Sequence, residues 1–241
     1  MFNGTVLFVP RSDAIRYAAD HLRSIGIVVT DKCAPDVTHV LLPVPSFSGG
    51  DEYLAHLLSK LPDDLIISGG NLVSPFLLGH RTVDFLQDPF YLAENAAITA
   101  QCAVDILDAK FCSDISGNSA LVIGWGRIGK CLSKLLTAKQ VYVTVAVRKE
   151  SDLAMLRALG YRAILISHAI DEIPRFDMII NTVPVMLFPD IKPKPDAVLL
   201  ELASKPGMSG SSIIDGRGLP GKMAPKKSGK LIAETFIRLT I

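Results

Sequence analysis

The sequence carries almost no excess of charge: 25 lysine and arginine residues face 24 aspartate and glutamate residues, a formal net charge of +1. It has no run of like charges longer than a pair such as Lys226-Lys227, so nothing in it demands the concentrated basic face typical of nucleic-acid binders. Cysteine is scarce. Cys33, Cys102, Cys112 and Cys131 include no C-x-x-C pair, which argues against a disulfide framework and suits small core residues in a reducing, cytoplasmic setting. No apolar run reaches the roughly 18 residues that span a bilayer. A secretory leader is not expected, because Asn3 stands where a basic segment would and Arg11 soon breaks the apolar run. The five histidines, His21, His39, His56, His80 and His168, form no pair at zinc-ligand spacing, so no metal site is expected. His39 reads as a satisfied core histidine and His168 as a cap at the helix start near Ser167.

What the chain does have is apolar material, 49% of 241 residues, enough for one large domain or two modest ones. Short apolar runs predict strands over 5–9, 27–30, 37–44 and 65–68. Segments of helical period predict helices over 14–23, capped by Ser12 or Asp13, over 52–60, and over 71–78, capped by Asn71. The pattern then changes. From Pro89 to Lys110, Leu92, Ala96, Ala100, Ala103, Ile106 and Leu107 recur at helical spacing with no proline or glycine after Pro89. Such a helix would be roughly 30 Å long, a length that suits a connector between two lobes. After a turn-rich break over 113–119, a second series follows, with strands over 120–123, 141–147, 161–165, 177–181 and 197–202 and helices over 127–138, 152–159 and 226–239. Strands alternating with helices imply parallel sheets built from right-handed βαβ units.

Gly124, Gly126 and Gly129 form G-x-G-x-x-G. The pattern is weak alone, but here it directly follows an apolar strand and opens an amphipathic helix. In a dinucleotide site Gly124 permits the tight turn, Gly126 lets backbone approach a pyrophosphate, and Gly129 lets the helix pack on the sheet. The helix start, with Trp125, Arg127 and Ile128, then offers free N–H groups to phosphate. The expected fold class is α/β: two Rossmann-like lobes with parallel sheets joined by a long connector helix, the C-terminal helix returning to the first lobe. The expected divisions are 1–88, 89–112 for the connector, 113–222 for the dinucleotide domain and 223–241 for the last helix.

The following strand ends in Arg148-Lys149-Glu150-Ser151. An acid at that strand end binds a ribose 2′-OH, whereas a guanidinium pairs with a 2′-phosphate. Arg148, with Lys149 or Ser151, therefore points to NADP(H) in preference to NAD(H). Glu150 would serve NAD(H) if the strand ran two residues further. Asn181, Thr182, Val183 and Pro184 close another strand, and residues 201–207 close the next. Both loops lie where a doubly wound sheet binds ligands.

Three stretches carry a family resemblance: Val122-Ile123-Gly124-Trp125-Gly126-Arg127-Ile128-Gly129, Ile180-Asn181-Thr182-Val183-Pro184, and a tail with Leu202-Ala203-Ser204-Lys205-Pro206-Gly207 and Gly218-Leu219-Pro220-Gly221-Lys222-Met223-Ala224-Pro225-Lys226-Lys227-Ser228-Gly229. The chain resembles the A-subunit family of dipicolinate synthase over roughly residues 90–241, as a shortened or divergent member. The tail runs are the most specific part. Departures include Pro10-Arg11-Ser12-Asp13 where the family has a glycine-rich turn, and Gln101 where it has a glutamate.

The resemblance implies an NADP-using oxidoreductase that forms dipicolinate in sporulating bacteria from 4-hydroxy-tetrahydrodipicolinate, alongside a flavoprotein-like second subunit. Ala203, in the loop that closes the strand before it, and Leu219 and Pro220 are further cofactor-binding candidates. A small cyclic dicarboxylate needs cations and N–H or hydroxyl donors. Candidates are Lys205, Lys226, Lys227 and Arg11, the loop with Ser46, Gly49 and Gly50, and the polar connector residues Asn95 and Thr99. No acid/base residue is identifiable. Two other readings stay open, a reductase of a small keto or imino acid and a non-catalytic, regulatory sensor of dinucleotide, as does a homodimer.

Overall fold

The computed structural model describes residues 2, 4–47, 52–62 and 64–241. Gly49 and Gly50 lie outside the described residues. Along the chain run β1 (Thr5–Phe8), α1 (Asp13–Ser24), β2 (Val28–Thr30), β3 (Val37–Leu41), α2 (Glu52–Leu58), β4 (Ile66–Gly69), β5 (Arg81–Asp84), α3 (Pro89–Lys110), β6 (Ser119–Ile123), α4 (Arg127–Ala138), β7 (Tyr142–Val147), α5 (Glu150–Ala158), β8 (Arg162–Leu165), α6 (Ile166–Glu172), β9 (Met178–Asn181), β10 (Val198–Glu201), β11 (Ile213–Asp215), α7 (Leu219–Met223) and α8 (Pro225–Thr240). They form two compact α/β units, Met1–Asn95 with Pro220–Ile241, and Ala96–Leu219. The division falls inside α3. No helix of the described chain is long and apolar enough to cross a membrane.

The first unit is a five-stranded sheet of order β2-β1-β3-β4-β5, parallel throughout. Ser12 caps α1 by accepting the Ile15 N–H, the local bond that lets a helix start there. The buried side of α1, Ala14, Ile15, Ala18, Ala19 and Leu22, packs in one cluster with Ile232, Ala233 and Phe236 of α8. The two helices approach so closely that a Cβ on Gly229 would stand 2.4 Å from the Ala14 carbonyl oxygen. Asp88, buried, accepts from the Arg238 guanidinium and from the Tyr91 N–H, which ties the start of α3 to the last turn of α8.

Several expectations need correction here. The stretch 71–78 is not a helix capped by Asn71. Asn71 has φ +58, a left-handed conformation that asparagine tolerates, and only Pro75–Leu77 turns, as a 3-10 turn capped by Ser74. Cysteine is not uniformly core: all four are free, Cys102 is buried, Cys131 half-buried, and Cys33 and Cys112 exposed. His39 is buried edge-on to Phe2 and Phe236, but it is only half satisfied. Thr38 Oγ1 lies 2.9 Å from its Nδ1, and no hydrogen bond of good geometry reaches Nε2. Burial holds its pKa below the usual histidine value. His168 is exposed and caps nothing, since α6 starts without a side-chain cap.

The second unit is a six-stranded sheet of order β11-β10-β9-β6-β7-β8, again parallel throughout. β6 is central because all its interior residues are apolar: Ala120, Leu121, Val122 and Ile123 are buried on both faces. From β6 the chain winds to one side through β7 and β8, then returns to the other through β9, β10 and β11. The carboxyl ends of β6 and β9 thus flank the switch point, where such sheets open a crevice. At the opposite end, Asp177 pins the starts of β6 and β9 together. Its carboxylate accepts from the Ser119 N–H and hydroxyl, both at 2.7 Å, and pairs with Lys194. Burial pushes the Asp177 pKa up, but the bonds from Lys194 and Ser119 outweigh it and hold the group down to about 2.

Candidate functional site: a crevice at the ends of β6, β7 and β9

β6 ends at Ile123 and α4 begins at Arg127, so the three residues between must reverse the chain. Gly124 does this at φ +103, a region costly for any side chain. A Cβ there would also meet Thr182 Oγ1 at 2.5 Å. Gly129 is needed for a different reason: a Cβ on it would fall 2.2 Å from the Gly124 carbonyl oxygen, so α4 would lift off the turn. Gly126 is unlike both. Its backbone is extended (φ −79, ψ −169), and a Cβ would meet no atom within 4 Å. Nothing inside the protein requires a glycine at 126. The bare backbone faces open space at the start of α4, whose cap position supplies no side chain to its N–H groups. That is the cradle in which a phosphate can approach.

A pocket of about 320 Å³ opens there, lined by Gly124, Trp125, Gly126, Val147, Arg148, Lys149, Asp152, Ile166, Val183, Val185 and Leu187. β7 ends at Val147, so Arg148 is the first residue beyond the strand. Glu150 instead opens α5, and neither it nor Ser151 is on the pocket wall. Trp125 is half-buried. Its ring packs edge-on to Tyr161 at 5.5 Å and lies under the Lys130 ammonium at 5.9 Å.

The far wall is held by a buried polar network. Asn181 Nδ2 donates to Glu201 Oε1 at 2.7 Å and to the Val183 carbonyl at 2.9 Å, while its Oδ1 accepts the Val183 N–H. Glu201, 4% exposed, also accepts from the backbone N–H groups of Ala203, Gly207 and Met208. The Leu187 and Phe188 N–H groups donate to the Gly207 carbonyl. Thr182 Oγ1 donates to the Ile123 carbonyl at 2.8 Å. The two strand-end loops are thereby fixed to each other and to β6.

Of the sequence-derived candidates, Gly124, Trp125, Gly126, Arg148, Lys149 and Val183 meet on this pocket. Arg127 is exposed and Ile128 half-buried in the first turn of α4, and Pro184 is exposed. Asn181 and Ala203 are buried and face the Glu201 network, so they shape the wall without lining it. Leu219 and Pro220 are buried in α7. Lys205 is exposed beyond Ala203, and Lys226 and Lys227 are exposed in the first turn of α8. Asn95 and Thr99 lie one turn apart on α3, Thr99 buried. Gln101 bonds along the helix to Asp105, and the Arg11 guanidinium lies over the Tyr53 ring. Ser46 is corrected in role: it is buried, its hydroxyl donates to the Pro43 carbonyl and accepts the Gly70 N–H, so it holds its own loop.

Sequence reasoning missed Asp152, Ile166, Val185 and Leu187. Ile166 was accessible in principle, because it follows β8 just as Arg148 follows β7. The others needed the course of α5 and of the loop after β9.

No protein-family model matches the chain. In sequence it is similar to the A subunit of dipicolinate synthase from Bacillus subtilis (strain 168), 28% identical over 136 residues, which is 52% of this chain and 46% of that protein. The match thus spans less than half of the relative's length. In structure it is similar to the A subunit of dipicolinate synthase from Bacillus halodurans, with TM-score 0.82, 20% identity, and 98% of this chain and 97% of that chain covered. A transhydrogenase from Sinorhizobium meliloti gives TM-score 0.70 at 14% identity, covering 97% and 92%. At those identities the structural likeness is one of fold: two parallel α/β lobes.

Proposed function

We propose that the chain is an oxidoreductase like the A subunit of dipicolinate synthase, and that it binds NADP(H) in preference to NAD(H) in the crevice of its second unit. The observation that carries the reading is Gly126, a motif glycine that neither backbone strain nor any neighbouring atom explains. A pyrophosphate lying on that backbone explains it, and the uncapped start of α4 supplies the N–H groups. Arg148 and Lys149 stand where the ribose 2′-phosphate would be held. Ile166, Val183, Val185 and Leu187 offer apolar surface to the adenine side. The nicotinamide supplies or accepts a hydride when bound; the chain's own part is to place it and to exclude water with Trp125 and the loop fixed by Glu201. The substrate is a small cyclic dicarboxylate such as 4-hydroxy-tetrahydrodipicolinate, in spore dipicolinate formation, with Lys205 among the cations available to it. The likeness to a protein named as one subunit of a synthase supports a second subunit in turnover.

Calorimetric titration of the purified chain with NADPH and with NADH tests the reading. Tighter NADPH binding, followed by dicarboxylate-dependent turnover once the second subunit is supplied, is expected. Binding of neither dinucleotide overturns it. Binding without turnover under any pairing leaves a dinucleotide sensor.

A further inference from the structure

The same pocket wall that carries two cations also carries a carboxylate. Asp152 sits in the first turn of α5, half-buried, and lines the pocket with Arg148, Lys149 and Gly126. Among the described residues none of these three charged side chains takes part in an ion pair or a side-chain hydrogen bond. Lys149 and Asp152 are three positions apart, where opposite charges on a helix commonly pair, yet Lys149 stands at the cap position of α5 and the pair is not made. Three unpaired charges of both signs therefore face one cavity.

We infer that Asp152 is the residue that limits how strongly the site prefers a phosphorylated dinucleotide. The inference rests on the reading of this pocket as a dinucleotide site. A 2′-phosphate brought to Arg148 and Lys149 comes within the field of the Asp152 carboxylate, which opposes it. A bare ribose 2′-hydroxyl meets the reverse: the carboxylate accepts its hydrogen bond, a charge-assisted bond that the dianionic phosphate cannot make. The strand-end position that an acid commonly holds in NAD-selective sites is occupied by Arg148. The acid has moved four residues on, to the next helix, and shares the pocket with the cations instead of replacing them. The site accordingly accepts both dinucleotides, NADPH more tightly, with the gap narrowed by Asp152.

The test is calorimetric binding of NADPH and NADH to the wild-type chain and to Asp152→Asn and Asp152→Glu. Removing one charge at such a partly exposed site changes affinity by about tenfold. Asp152→Asn should tighten NADPH by about that factor and weaken NADH, so that their ratio widens. Asp152→Glu should keep the wild-type ratio. A ratio unchanged by Asp152→Asn, or an equal loss for both ligands, overturns the inference while leaving the dinucleotide reading intact. Wild-type chain that binds neither ligand overturns both. The melting temperature of Asp152→Asn, expected to match wild type, separates a change in recognition from a change in folding.

Discussion

Asn181 and Glu201 close the ends of neighbouring strands with one buried hydrogen bond of 2.7 Å. The bond is the visible part of a larger arrangement, in which one carboxylate collects an amide and three backbone N–H groups. None of these donors has bulk water as an alternative, so the glutamate is a fastening for the loop beside the pocket. Glu201→Leu leaves the donors unpaired and should destabilise the second unit by about 3 kcal/mol, read from urea unfolding. Glu201→Gln keeps the shape but presents an amide N–H to backbone donors. It should weaken dinucleotide binding at a smaller loss of stability. Unchanged unfolding midpoints in both variants would remove Glu201 from this role.

The three motif glycines should separate by what their substitution breaks. Gly124→Ala forces a side chain onto φ +103 and should cost about 1–3 kcal/mol. Gly129→Ala pushes on the Gly124 carbonyl and should cost a comparable amount. Gly126→Ala loses only a cap preference of about 0.5 kcal/mol, but it should reduce dinucleotide affinity at least about tenfold, because the new methyl occupies the approach to the backbone. Thermal melts and calorimetry on the three variants make the comparison. A Gly126→Ala protein that binds like wild type removes the argument for a phosphate at α4.

The chain has a single tryptophan, and Trp125 is on the pocket wall. Its emission is therefore a site-specific reporter. Titration with NADPH should change the intensity saturably, with a midpoint equal to the calorimetric one. Trp125→Phe should abolish the signal and leave most of the affinity. A saturable calorimetric signal with no change in emission would place the ligand elsewhere.

Asp177 gives the second unit an acid sensitivity with a defined sign. Its folded pKa is depressed to about 2, below the value near 3.9 of an unfolded aspartate. The stability it contributes is complete above the unfolded value and is lost as pH falls through the folded one. Wild-type unfolding free energy should thus decline between about pH 4 and pH 2, and Asp177→Asn should be less stable at pH 7 with a shallower decline across that window. Equal slopes for the two proteins would assign the acid sensitivity to other carboxylates.

The legible parts of this fold are those where two local signals agree. α3 was readable to its ends because Pro89 suits a first turn and no breaker follows before Lys110. α4 was readable because the glycines stop β6 and the apolar spacing restarts at once. What escaped was weakly patterned. β11 is three residues long at a sheet edge, and β5, Arg81-Thr82-Val83-Asp84, has charged ends that look like loop. Asn71 is ambiguous in principle, since the small polar side chain that caps a helix also tolerates the left-handed region. Ser46 looked like an available donor, because a sequence does not reveal that the Gly70 backbone returns beside it. The turn between β6 and α4 was legible from the glycine spacing together with the apolar strand before it and the helix after it, whereas Asp152 joins the pocket only through the placement of α5.

The close seating of α8 on α1 has a consequence for how the chain is made. α1 packs partly on its own sheet, through Val6, Phe8 and Leu41, but the part of its apolar side that seats against Ile232, Ala233 and Phe236 is uncovered until α8 follows, after the whole of Ala96–Leu219 has been synthesised. The second unit is continuous in sequence and holds all its strands, so it is positioned to fold first although it comes later in the chain. The cluster around Ile15, Ala18, Ala19 and Leu22 is completed only by a helix more than 200 residues downstream of α1. Protection of that interval, by a chaperone or by slow translation, bears on yield.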